Sequence, residues 1–144
     1  MNPSRILPDL QCSLLCEEVR QEMNGNFLLI GVFNTVRVPQ LPIALNLCVF
    51  NRWTAGFGQF IETVRLLAPD QTTVLRKAEI NFALQDVTHN RTTVGFWGQI
   101  KFDAPGAYSV EVLVDDVMKL RFPLLVSAVP PPEPPTEGGP KKGQ

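Results

Sequence analysis

Apolar and polar residues alternate along most of this chain. Ile80, Phe82 and Leu84 alternate with Asn81, Ala83 and Gln85, and Leu45, Leu47 and Val49 alternate with Asn46 and Cys48. Val64 and Leu66 continue the pattern up to the turn signal Ala68-Pro69-Asp70-Gln71, and Phe27 to Phe33 is a continuous apolar run. A period of two turns successive side chains to opposite faces, so each stretch predicts a strand with one buried and one wet face. The clearest case is the last. Pro105-Gly106-Ala107-Tyr108 leads into Val110, Val112 and Val114, the chain turns at Asp115-Asp116, and it returns through Met118, Leu120, Phe122 and Leu124. That is a β-hairpin. For its two apolar faces to coincide, paired residue numbers must have an even sum, which predicts an odd loop, Val114-Asp115-Asp116, with Asp116 left-handed.

Two further stretches bear on the site. Thr88-His89-Asn90-Arg91 connects to Val94, Phe96, Gly98, Ile100 and Phe102, which share one face on a regular strand, so Trp97 is expected outward beside Gln99 and Lys101. Asn51 to Gly58 reads as looser chain, with Trp53 and Phe57 clustered around two glycines and Arg52 beside them. Residues 10 to 23 fit two periods. Leu10, Leu14, Leu15, Val19 and Met23 recur at helical spacing, whereas Leu10, Cys12, Leu14 and Cys16 share a face at period two. We read a strand, because Asn24-Gly25-Asn26 then turns it directly into Phe27. With no helical segment left to cover a single sheet, two facing sheets are the simplest way to bury these strands, giving an all-β antiparallel sandwich of seven to nine strands over residues 9–128. From residue 129 the chain becomes Pro130-Pro131-Pro132-Glu133-Pro134-Pro135 and then Gly- and Lys-rich, and this tail reads as disordered.

The order of features resembles a family of small, uncharacterised bacterial domains with an immunoglobulin-like sandwich. The residues that carry the resemblance are an opening strand with Cys16, then Asn24-Gly25-Asn26-Phe27-Leu28-Leu29-Ile30-Gly31-Val32-Phe33, Pro39-Gln40-Leu41-Pro42, and the closing Pro105-Gly106-Ala107-Tyr108-Ser109-Val110-Glu111-Val112. The resemblance implies a fold, with no activity and no site residues. Asp116 departs from it, where a glycine is usual in the turn.

Composition narrows the function classes. The 144 residues balance 13 basic against 14 acidic side chains, a net charge of −1, without the basic excess that phosphate backbones require, so no nucleic-acid partner is expected. No apolar run is long enough to span a membrane and no secretion signal opens the chain. Cys12, Cys16 and Cys48 cannot all pair within one chain, and free thiols suit a reducing compartment. A cytoplasmic protein is expected. Asn90-Arg91-Thr92 matches a glycosylation pattern but reads as a polar turn.

Candidate chemistry is sparse. The single histidine, His89, falls in a polar connection, and no phosphate-binding or nucleophile-elbow motif is present. On a strand Cys12 and Cys16 lie about 13 Å apart, too far to chelate one zinc ion. Glu17 and Glu18 point to opposite faces, and Asp115 and Asp116 are ordinary turn residues. A calcium site would have to converge Asp70, Asp86 or Asp103 with that turn, and no Asp-x-Asp-x-Asp spacing supports it. No enzyme activity, metal or cofactor is expected. The expected function is a non-catalytic interaction or structural module, meeting a protein partner or a second copy through a sheet edge or through exposed aromatics. The candidate binding residues are Trp53, Phe57, Arg52 and Trp97. The alternatives are a carbohydrate or small-ligand module that stacks its ligand on Trp53 and Phe57, and a calcium-dependent module.

Overall fold

The computed structural model describes residues 5–129, so the proline-rich tail lies, apart from Val129, outside the described residues. Nine strands follow in order: β1 (Asp9–Gln21), β2 (Phe27–Phe33), β3 (Thr35–Val38), β4 (Ile43–Thr54), β5 (Gly58–Leu67), β6 (Val74–Leu84), β7 (Asn90–Phe102), β8 (Gly106–Val114) and β9 (Val117–Ala128). They form a four-stranded sheet, β2-β1-β4-β7, and a five-stranded sheet, β3-β9-β8-β5-β6. The ambiguous segment is strand β1, and the turn after it is closed by Glu22 N donating to Asn26 O at 2.7 Å, with Gly25 at φ +92°. Between the sheets lie Leu15, Trp53, Phe60, Phe82, Trp97, Phe102, Val110 and Leu124.

The second sheet is mixed, not wholly antiparallel. β2 ends at Phe33 in one sheet and β3 begins at Thr35 in the other. The one residue between them, Asn34, is too short a link to reverse the chain, and β3 meets β9 in parallel, with Leu125 N donating to Asn34 O at 2.9 Å.

Three irregularities decide which side chains face outward. The first lies in β7. Leu45 pairs with Ile100 but Leu47 pairs with Trp97, so one residue of β4, Asn46, opposes two of β7, Gly98 and Gln99. This is a β-bulge, which reverses the inward and outward sense of the strand beyond it. Gln99 takes φ 54°, and Asn46 Oδ1 holds it by accepting from Gln99 N at 2.7 Å. Ile100 and Phe102 are buried on one side of the bulge and Thr93 and Trp97 on the other, while Phe96 turns out.

The second lies at the closing hairpin. Asp115 and Asp116 are both left-handed, at φ 47° and 67°, and Val114 pairs with Val117, which makes a two-residue turn, not an odd loop. Such a turn twists in the same sense as its strands. The even sum needed by the apolar faces is restored between Leu113–Met118 and Val112–Leu120, where Lys119 is the extra residue.

The third bends the β1–β2 hairpin. β1 pairs with β4 through Cys16 and with β2 from Leu15 onward, but the Glu17–Gly31 rung is missing and Gly31 sits at φ +69°. Phe27 pairs with Gln21, seven residues beyond Leu14, the partner of Phe50. A straight strand would separate those rungs by about 23 Å. Phe27 and Phe50 nevertheless meet edge to face, with ring centroids 5.6 Å apart. The end of the hairpin therefore folds back as an arm over the outer face of the four-stranded sheet. Gly31 permits the bend, and a Cβ there would also stand 2.6 Å from the Glu17 side chain.

Gly31→Ala is expected to lower the stability of the domain by about 1–2 kcal/mol, the cost of a left-handed residue with a side chain. Urea unfolding of the two proteins checks it; equal midpoints would show that the arm does not depend on this bend.

Candidate interaction face

The two tryptophans belong to the core. β4 runs on to Thr54, because β1 and β7 flank it on both sides and pair its backbone as far as that residue, so the stretch expected to be loose is a central strand. Trp53 is 0% exposed, stacks on Phe82 with ring centroids 5.4 Å apart, and donates its indole N–H to Glu62 Oε1 at 2.7 Å. The same oxygen accepts from Thr93 Oγ1 at 2.5 Å. One carboxyl group on β5 thus ties together β4 and β7 of the opposite sheet. Trp97, expected outward, is 3% exposed, because the bulge at Gly98-Gln99 reverses the sense of the strand. Neither ring is open to a sugar or a partner. Glu62 was not among the candidates, since a lone Glu among apolar residues of a strand gives no sign of facing inward until its partners are placed.

Phe57 is half-buried at the end of the sandwich, where its backbone exchanges two hydrogen bonds with Ile6, each 2.9 Å. Arg5 extends this contact, with its guanidinium 4.8 Å from the Phe60 ring centroid and paired with Asp115. Arg52 lies elsewhere, on the outer face of the four-stranded sheet, and the one hydrogen bond of its side chain among the described residues runs from Nε to Gln11 Oε1 at 3.4 Å.

Strand register sets out that outer face as three rows. Cys12, Arg52 and Thr92 form one, Leu14, Phe50 and Val94 the next, and Cys16, Cys48 and Phe96 the third. The folded arm covers the β1 and β4 columns, with Phe27 resting on Phe50, and leaves the β7 column bare. Phe96 is 67% exposed and Val94 40%. Among the described residues Phe96 is the one aromatic side chain that is exposed. Between the arm tip and the sheet runs a cleft of about 680 Å³, lined by Phe27, Leu29, Phe50, Arg52, Asn90 and Thr92, with Asn26 at its rim. It offers an apolar floor, a cation at one end and amide and hydroxyl groups along the side.

The acidic turns are occupied by their own backbone. Asp70 accepts from Thr72 N, Thr73 N and Thr73 Oγ1, Asp86 from Thr88, and Asp115 from Ile61 N. Among the described residues no group of three or more His, Cys, Asp or Glu side chains is placed to hold a metal ion. His89 is exposed and caps a local turn, its N–H donating to Asp86 O at 2.9 Å.

Fold and surface together define a two-sheet all-β domain whose β7 column presents Val94 and Phe96 to solvent. The chain belongs to DUF6941, a family of unknown function, which matches residues 11–127. No curated protein matches it.

Thr93→Val keeps the shape of the side chain but removes one donor from Glu62, and is expected to cost about 1–2 kcal/mol in urea unfolding; an unchanged midpoint would show that this bond adds nothing to stability. A second expectation concerns acid. Hydrogen bonds from Thr73 and Thr72 hold the Asp70 carboxyl down at about 2. A depressed carboxyl stabilises fully above its unfolded value, about 3.9, and loses that contribution as the pH falls through its folded value. Melting temperatures measured from pH 5 to pH 2 should therefore fall less steeply in Asp70→Asn than in the parent, and parallel curves would contradict the assignment.

Proposed function

We propose that the domain is a non-catalytic interaction module that meets a protein partner through the outer face of its four-stranded sheet, centred on Phe96 and Val94. The exposure of Phe96 carries this reading. Every other described aromatic is at least half-buried, and leaving a large ring in water forgoes about 1.5–3 kcal/mol of burial that a partner can supply. Arg52, at the far end of the same face, has no carboxylate partner among the described residues and supplies a polar anchor for an acidic group. The β7 edge of that surface is tied to the opposite sheet at one point. Arg76 on β6 donates to Gly98 O of β7 at 2.8 Å, which bridges the two sheets at the bulge.

The architecture reads further as immunoglobulin-like. The Tyr108 hydroxyl, at the start of β8, donates to Ala104 O four residues upstream at 2.7 Å, the arrangement of a tyrosine corner. The three free cysteines suit a reducing compartment, and we place the protein in a bacterial cytoplasm.

A photo-crosslinking amino acid at position 96, expressed in the native host, is expected to trap a discrete adduct that the same group at exposed Val87 does not, and that Val94→Asp abolishes. Equal labelling at both positions, or none at either, would reject this face as the contact surface. Phe96→Ala should melt within a few degrees of the parent, because its ring buries little area.

A further inference from the structure

We propose that Cys16 and Cys48 are a redox-active dithiol, closed into a disulfide between β1 and β4 by a small-molecule disulfide. The two residues are direct partners across an antiparallel pair of strands, and their side chains lie on the same face. Directly opposed residues in such a pair have Cα atoms about 4.5 or about 5.5 Å apart, and both values fall within the roughly 4.4–6.8 Å over which a disulfide closes. The opposed register meets the Cα condition, and closure needs at most a local approach of the two strands at this rung, since opposed Cβ atoms stand about 4.5–5.5 Å apart and a disulfide holds them about 3.5–4.5 Å apart. Cys12 is excluded from the pair: its partner across the strands is Arg52, and it stands about 13 Å from Cys16 along β1.

The surroundings assign the two thiols different parts. Cys16 is 0% exposed and Cys48 8%, so Cys48 is the one a reagent reaches first. Burial, with Cys48 beside it, pushes the Cys16 thiol up, which keeps it protonated and unreactive until its neighbour has changed. Cys48 Sγ lies 3.8 Å from Glu17 O, at the bend where the arm leaves the sheet, so any lifting of the arm opens this position.

The chemistry balances as two exchanges. The Cys48 thiolate attacks one sulfur of the small disulfide, breaks its S–S bond and releases the first small thiol after protonation. Cys16 then gives up its proton and attacks the Cys48 sulfur of the mixed disulfide, forming the cross-strand bond and releasing the second small thiol. Two protein thiols are oxidised by two electrons, and one small disulfide is reduced to two thiols. The bond ties β1 to β4 beneath the arm, one strand from Phe96, which pairs with Cys48 on the other side.

The full-length chain incubated with glutathione disulfide should lose two of its three free thiols with an intact mass lower by two hydrogen atoms and no added glutathione. The tryptic peptides holding Cys16 and Cys48 should remain joined until reduction. Cys12→Ser should behave as the parent, while Cys48→Ala should keep its remaining thiols or accumulate intermolecular species. Three thiols still free under excess oxidant, a bond lost in Cys12→Ser, or only intermolecular disulfides would overturn the proposal. The parent thiol count decides the matter even where a variant fails to fold.

Discussion

Glu62 brings a carboxyl group into the apolar space between two sheets, where an unpaired polar group costs several kcal/mol and a paired one is held in place. Its two donors come from different strands of the facing sheet, the Trp53 indole on β4 and the Thr93 hydroxyl on β7. Apolar side chains tolerate small sliding movements against one another, but two hydrogen bonds converging on one oxygen do not. This contact therefore sets how β5 lies over β4 and β7, and with it the position of Trp53 and of every side chain that the same strands turn outward. Around it the aromatic stack of Trp53, Phe82 and Phe60 fills one end of the core, and Phe102 against Tyr108 fills the other.

The outer surface is shaped by departures from regular strand geometry. An ideal β7 would bury Phe96 and expose Trp97; the extra residue at the Asn46–Gln99 bulge does the reverse. An ideal β1–β2 hairpin would extend away from the sheet; the bend at Glu17 and Gly31 lays it over Phe50 instead. The two together leave an apolar strip on β7 beside a covered half-face, with Arg52 and a polar-walled cleft at one end. Bulges and left-handed residues cost local stability and are retained where they aim a side chain or end a pairing.

The opposite sheet is finished differently. On its outer face Glu111 lies between Arg65, at 2.8 Å, and Arg121, at 3.7 Å, in a row set by strand register. The two arginines flank Glu111, which like Ser109 and Thr63 is buried although it faces away from the core. The middle of that face is crossed by a row of charges, while Ile61 and Leu125 stay exposed around it. The β7 strip has no such charged row, and its Phe96 is the most exposed ring among the described residues.

Local alternation by itself determined most of the strands, though not the end of β4 or β3. Burial on one face demands period two, so Ile80–Leu84, Leu45–Val49 and the hairpin around Asp115-Asp116 were legible, as was the turn after β1, because Asn and Gly are the residues that take its backbone angles. From so many one-sided strands a two-sheet all-β domain followed. What alternation cannot register is a single inserted residue. The bulge at Gly98-Gln99 is created by pairing with Asn46, which lies more than fifty positions earlier, and so the facing of Phe96 and Trp97 could not be read locally. The same holds for Cys16 opposite Cys48, for Glu62 between Trp53 and Thr93, and for β3 beside β9: each is a contact between distant segments. Only the tertiary structure chose them, because side-chain direction is set by the residue's neighbours in its own strand until a partner strand shifts the register.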